Sequence, residues 1–270
     1  MIVDVHAHLT DEQFDADRSE IAEGLKQNGV KWIITNGYDR KSCFLAVILA
    51  GWYKNIYAAV GMHPESAGDY DAVFEDNLKE YCANEKVLAI GEIGLDYHYD
   101  TNPPRKTQRE TFVKQLILAE KLDKPVIVHS RDAAQDTFDI LRDNMPSRGA
   151  VLHSFSQSEE MTKRYLELNV MFSFSGVVTF KNASNVKLSA GLIPPERILT
   201  ETDCPYMAPE PFRGKRCCPA YAANTAAVLS EIKGIDYAEF CELTVANAER
   251  FFKVIPKEEK KKKGGRFWGV

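Results

Sequence analysis

The stretch Met1-Ile2-Val3-Asp4-Val5-His6-Ala7-His8 decides the reading of this chain. It is a short apolar, β-branched run that ends in two potential ligands. Side chains alternate between the faces of a strand, so His6 and His8 are expected to point the same way. Asp4 is expected on that face too, one layer deeper, as a buried acceptor behind the imidazoles. Two imidazoles on one rigid face make half of a metal site. What gives the pair weight is recurrence, because apolar strands ending in polar, ligand-type residues run all along the sequence.

Strands are expected at Ile2–His6, Trp32–Thr35, Ile56–Val60, Val87–Ile90, Val126–His129, Ala150–His153, Val170–Ser173 and Ile198–Thr202. Between them lie helical patterns such as Asp17–Asn28, Cys43–Tyr53, Gln108–Leu122, Ala133–Asn144 and Glu159–Leu168. Ala220–Lys233 and Tyr237–Phe252 read as closing helices. Strands nearly continuous in Val, Ile and Ala imply a sheet covered on both faces. Strand–helix alternation of this extent predicts an α/β fold, a single (β/α)8 TIM-type barrel. An open doubly wound sheet is the alternative, but the glycine-rich phosphate turn that many of those carry after the first strand is absent.

Composition agrees with one barrel. The 270 residues are 44% hydrophobic and 27% charged, which suits a soluble protein with a substantial core. No apolar run reaches the ~18–20 residues of a membrane span, and Met1 leads straight into strand-like sequence rather than a secretory signal. The six cysteines show no C-x-x-C spacing and read as reduced thiols, so a cytoplasmic location is expected. A net charge of −5 argues against electrostatic wrapping of nucleic acid, though not against a strand end held in a local basic cleft. No linker divides residues 1–255, and the lysine run with Gly264-Gly265 makes 256–270 a solvated basic tail. No protein partner is readable.

In such barrels the chemistry sits at the carboxyl ends of the strands. Those ends carry His6 and His8, then His63, Glu92, His129, His153, and finally Glu201 and Asp203. Of the six histidines only His98 falls elsewhere, and it reads as a loop residue. Histidines that merely decorate a surface or fill a core have no reason to sort to one rim. Four imidazoles (His6, His8, His129, His153) and two carboxylates exceed one tetrahedral ion but suit two. A shared carboxylate would hold the ions ~3.5–4 Å apart, and Glu92, midway round the barrel, is the natural bridge. The donor set suits Mg2+, Mn2+ or Zn2+. His63 reads either as a ligand or as a substrate contact. Glu201 shares a face with Asp203 and reads as a holder of a substrate water or of an imidazole. Arg131, and Arg213, Lys215 and Arg216 in the stiff loop after the last strand, are candidate phosphate contacts. Cys217 and Cys218 read as free thiols in a mobile loop.

These residues bring the chain to a known family. It resembles the TatD-type metal-dependent deoxyribonucleases, within the amidohydrolase-like barrel superfamily. The resemblance rests on Val3-Asp4-Val5-His6-Ala7-His8-Leu9, Gly61-Met62-His63-Pro64, Gly91-Glu92-Ile93-Gly94-Leu95-Asp96-Tyr97 and Pro125-Val126-Ile127-Val128-His129-Ser130-Arg131-Asp132-Ala133. It continues through His153-Ser154-Phe155, the segment from Phe174 to Ala183, and Leu199-Thr200-Glu201-Thr202-Asp203-Cys204-Pro205-Tyr206. The chain departs from the family's pattern at Gln157, where a small glycine is common, and at Cys217-Cys218, where polar residues are common. The resemblance implies one metal among His6, His8, Glu92 and Asp203, and a second among Glu92, His129 and His153. It also implies DNA as partner, single-stranded and trimmed from a 3′ end, with Asp203 and Glu92 as the catalytic carboxylates. In that scheme Asp203 orients or deprotonates the attacking water. Hydrolysis of a small amide, lactone or ester on the same metals is the alternative, disfavoured because no lysine stands where many such relatives place a modified bridging one. A metal-stabilised interaction protein without catalysis is the third reading.

Overall fold

The computed structural model describes residues 1–254, so the tail expected at 256–270 lies outside the described residues. The chain opens with β1 (Ile2–Ala7), α1 (Arg18–Gly24), β2 (Val30–Asn36), α2 (Arg40–Trp52) and β3 (Ile56–Val60). Next come α3 (Ala72–Cys82), β4 (Val87–Asp96), α4 (Arg105–Lys121), β5 (Val126–Arg131) and α5 (Ala134–Asn144). They are followed by β6 (Ala150–Leu152), α6 (Glu159–Tyr165), β7 (Val170–Phe174), α7 (Ser184–Leu192) and β8 (Ile198–Thr200). Helices α8 (Ala222–Lys233) and α9 (Tyr237–Phe252) end the fold. The strands stand in sequence order in one sheet, and every neighbouring pair is parallel.

The sheet closes on itself. Ala7 bridges Cys204, the His8 N–H donates to the Cys204 carbonyl at 2.7 Å, and the Asp203 N–H donates to the His6 carbonyl at 2.8 Å. These bonds decide for the barrel over the open sheet, and they lace the two metal-ligand candidates of β1 to that of β8. One apolar cluster takes residues from all eight strands, among them Val3, Val5, Trp32, Ile34, Ile127, Val151, Met171 and Leu199. It fills the lower barrel, and Val245, Ala248 and Phe252 of α9 join it as a plug. A second cluster packs the remaining helices onto the outside of the sheet. Polar side chains are thereby left to the upper rim. Among the described residues no helix is long and apolar enough to cross a membrane.

Three differences from the sequence reading have local causes. The register of β1 against β2 shifts between Asp4 and Ala7, a bulge that breaks simple alternation. Asp4 therefore turns away from the imidazoles. It accepts from the Thr202 hydroxyl and N–H at 2.5 and 3.0 Å, and from the His6 N–H at 3.2 Å. Strand β4 runs on to Asp96 instead of stopping near Ile90, because its glycines allow β5 to approach; a Cβ on Gly94 would lie 2.0 Å from the His129 carbonyl. Cys217 is buried, not in a mobile loop, with its N–H donating to the Pro205 carbonyl at 2.9 Å. All six cysteines are free thiols.

Two buried glutamines on α4 hold the loops that carry the site. Gln115 accepts from the Met62 N–H at 2.7 Å and donates to the Met62 carbonyl at 3.0 Å, beside His63. Gln108 does the same at the end of β4, with both bonds to the Asp96 backbone at 2.9 Å. Replacing Gln115 with Leu keeps the volume but strands two buried backbone groups. An equilibrium urea titration should show a loss of about 1–3 kcal/mol per stranded group, whereas an unchanged midpoint would mean that Met62 finds other partners.

Candidate metal centre

The rim brings the expected ligands together in two clusters that share one residue. In the first, His6 Nε2 lies 3.1 Å from His8 Nε2, 3.3 Å from Glu92 Oε2 and 3.6 Å from Asp203 Oδ1. His8 Nε2 lies 3.5 and 3.3 Å from the same two oxygens. Edges of this length belong to a tetrahedron whose centre is about 2.1 Å from each corner, the distance at which nitrogen and oxygen bind Zn2+. In the second cluster, Glu92 Oε1 lies 2.9 Å from His129 Nδ1, 3.2 Å from His153 Nε2 and 3.6 Å from His63 Nε2. The two imidazole nitrogens of His129 and His153 are 3.4 Å apart. Glu92 thus has one oxygen in each cluster.

What lies behind each ring decides which nitrogen offers a lone pair. A carbonyl or carboxylate only accepts, so a ring nitrogen facing it carries the proton and the other nitrogen is free. His8 Nδ1 donates to the Asn36 carbonyl at 3.0 Å, which frees Nε2. His153 Nδ1 donates to Glu201 Oε1 at 2.9 Å, which again frees Nε2. His129 is reversed: its Nε2 donates to Asp96 Oδ2 at 3.0 Å and leaves Nδ1 for the cluster. His63 differs in kind, since its Nδ1 accepts from the Glu65 N–H at 3.2 Å. Its proton then sits on Nε2, which faces Glu92 as a donor, and a contact role follows rather than ligation. Burial pushes the His63 imidazolium down to about 3, with only partial relief from Glu92, so the ring is neutral.

Glu201 is wholly buried and cannot meet a substrate; its task is to hold His153. Asp96, to which the sequence reading gave no role, holds His129. The signal was present, since Asp96 stands an even number of positions beyond Glu92 on the same strand. Backbone strain marks the same rim: Ser154 (φ 42°) and Asp203 (φ 58°) sit in the left-handed region, beside the two clusters. His98 pairs with Asp132 at 2.7 Å, outside both clusters.

The basic residues above the rim are unequal. Arg216 grips both carboxylate oxygens of Asp17 and donates to the Gln13 carbonyl at 2.6 Å. It braces the loop after β8 against the loop after β1, so the phosphate contact expected of it is replaced by a structural one. Arg213 and Lys215 are exposed, the former with its guanidinium 4.2 Å from the Phe180 ring centre. Arg131 is exposed as well; it stacks on Tyr99 at 5.1 Å and donates to its hydroxyl at 3.2 Å.

The sequence matches the family model described as "TatD related DNase" over residues 3–253. It is 41% identical to the uncharacterized metal-dependent hydrolase YabD of Bacillus subtilis, across 94% of this chain and 100% of that protein. It is 35% identical to the uncharacterized metal-dependent hydrolase YcfH of Escherichia coli, across 94% and 96%. Among solved structures, YJJV, a TatD homologue from Escherichia coli, superposes with a TM-score of 0.88 at 30% identity, covering 94% of this chain and 98% of that one.

The donors fit divalent cations on the geometry alone. Two imidazole nitrogens 3.1 Å apart, with an oxygen of Glu92 and one of Asp203 within 3.6 Å of them, put four donor atoms around one point. Without a cation, the second cluster holds a proton on His153. Burial by itself would lower the His153 imidazolium, but Glu201 and Glu92 outweigh it and push it up to about 10. A cation entering the second cluster must displace that proton, so its affinity should rise with pH until about 10. Calorimetric titration of stripped protein with Zn2+ in buffers of different ionisation enthalpy should show proton release at pH 7. Uptake that is independent of buffer and pH would contradict the assignment.

Proposed function

Because this chain belongs to the TatD family and is a metal-dependent hydrolase, we propose that it cleaves phosphodiester bonds of DNA, trimming single strands from the 3′ end. The observation that carries this reading is the placement of Glu92, with one carboxylate oxygen in each donor cluster at an open strand-end rim. His6, His8, Glu92 and Asp203 would hold one divalent cation, and Glu92, His129 and His153 a second. Bound there, such a pair activates a water and neutralises charge that develops on phosphoryl and leaving oxygens.

The chain's own residues supply the rest. Burial alone would raise the Asp203 carboxyl, but the His8 hydrogen bond and the nearby His153 and His6 lower it, so it is ionised at neutral pH. With Oδ1 toward His6 and His8, Asp203 is placed to orient a water and take its proton as the new P–O bond forms. His63 offers its Nε2–H to a phosphoryl or leaving oxygen. Arg131, Arg213 and Lys215 are the exposed cations for neighbouring phosphates. Among the described residues no lysine enters either cluster, which favours this reading over amide or ester hydrolysis.

The decisive assay incubates metal-reconstituted protein with end-labelled single-stranded DNA, duplex DNA and RNA, beside a panel of esters and amides. Stepwise shortening of single-stranded DNA from its 3′ end, abolished by EDTA, is expected. Consumption of an ester or amide with intact DNA, or activity that survives complete metal removal, would sink the proposal. Asp203→Asn should lose ~10²–10⁴-fold in rate while keeping most of its metal and its DNA binding, whereas Glu92→Gln should lose at least one ion. Elemental analysis of both variants checks this, and the reverse pattern would exchange their roles. Replacing Arg213 and Lys215 by Ala should weaken DNA binding and flatten its salt dependence, whereas hydrolysis of a neutral ester should stay unchanged. An unaltered salt slope would remove both residues from the phosphate path.

A further inference from the structure

The rings of His6 and His153 stack, with centres 3.9 Å apart and planes 20° from parallel. Yet they serve different clusters, since His6 Nε2 faces Glu92 Oε2 and His153 Nε2 faces Glu92 Oε1. Behind the stacked pair lies Glu201, removed from solvent. Its Oε1 accepts from His153 Nδ1 and from the Ser154 N–H, both at 2.9 Å. Its Oε2 has no partner among the described residues, and neither has His6 Nδ1. A ring nitrogen of each imidazole and an oxygen of Glu201 lie within 4.8 Å of one another.

The two unpartnered atoms are complementary. When His6 Nε2 gives its lone pair to a cation, its proton resides on Nδ1, a donor without an acceptor. Glu201 Oε2 is an acceptor without a donor, and the two residues have a ring nitrogen and a carboxylate oxygen within 4.8 Å, so a small side-chain rotation or one water would join them. We propose that Glu201 is the outer acceptor shared by His6 and His153, so that one buried carboxylate aims a ligand of each cation. It is a positioning residue, and it mirrors Glu92: one carboxylate joins the clusters in front of the imidazoles, the other behind them. The same three residues do not make a third cation position, because ring nitrogens that carry protons have no lone pair to give. Other outer partners each hold a single imidazole: the Asn36 carbonyl holds His8, and the Asp96 carboxylate, which also accepts from the His98 N–H, holds His129.

The inference rests on the two-cation reading and is independent of substrate. It has an unusual signature. In Glu201→Gln the Ser154 N–H keeps the amide oxygen at the Oε1 position, where it still accepts from His153. The amide nitrogen then faces His6 Nδ1, donor against donor, so damage should fall on the cluster where no bond to Glu201 is now seen. Titration of stripped protein with Zn2+ by calorimetry reads this without any nuclease assay. Wild type should bind two ions, with the steps identified by His8→Ala, which removes a donor of the first cluster, and Asp96→Asn, which perturbs the second. Glu201→Gln should weaken the first-cluster step by about 10–100-fold and spare the other, and Glu201→Ala should weaken both. Circular dichroism of the stripped variants checks folding, and if the Ala variant does not fold the Gln variant decides. A Gln variant with both steps intact, or an Ala variant weakened only in the second cluster, would overturn the proposal. So would a third ion in the wild type. A single ion in the wild type would also end it, by removing the two-cation reading itself.

Discussion

A buried imidazole presents a lone pair in a fixed direction only if something behind it takes its other proton. The architecture of this barrel's rim follows from that constraint. Each cluster-facing nitrogen of His8, His129 and His153 is selected by an acceptor on a different strand: the Asn36 carbonyl on β2, Asp96 on β4 and Glu201 just past β8. The acceptors are themselves buried and fixed by the backbone. Asp96, for instance, is clamped by Gln108 of α4. Orientation at the centre is thus inherited from the sheet and from the helix packed outside it, and not from the loops.

Barrel closure supplies the second requirement, that ligands far apart in sequence share one small volume. His6 and Asp203 are joined backbone to backbone across the β1–β8 seam. The bulge in β1 is what lets His6 and His8 face the clusters while Val3 and Val5 fill the barrel below. A regular strand would put Asp4 under the imidazoles. In the bulged one Asp4 instead secures Thr202, and with it the strand end that carries Asp203. The left-handed backbone of Asp203 and Ser154 belongs to the same economy of space. Strained residues persist at such positions because surrounding bonds over-determine them.

The loops divide the remaining labour. Some of their charge is structural: Arg216 spends its donors on Asp17 and Gln13, tying the loop after β8 to the loop after β1. Arg213 and Arg131 stay exposed, each over an aromatic ring, and Lys215 is exposed as well. His63 lies between these levels. Its backbone partner at Glu65 makes its inward nitrogen a donor, so it completes the site by hydrogen bonding rather than by coordination.

The sequence by itself determined the barrel and the residues that meet at its rim. Both depend on local regularities: apolar strands alternate with amphipathic helices, and in a parallel barrel every strand presents its carboxyl end to one side. His6, His8, His63, Glu92, His129, His153 and Asp203 could be named from those ends alone. Only the tertiary structure decided what each does, because a role depends on what stands behind a side chain. The β1 bulge removed Asp4 from the site, and an N–H from the next turn selected the donor role for His63 over ligation. Asp17, remote in sequence, drew Arg216 into a structural ion pair. Of the two roles open to Glu201, a substrate water or an imidazole, the imidazole is selected because β8 ends at Thr200 and turns the carboxylate under His153. Periodicity tells which way a side chain points; the identity of its partner is a long-range fact that only the closed barrel supplies.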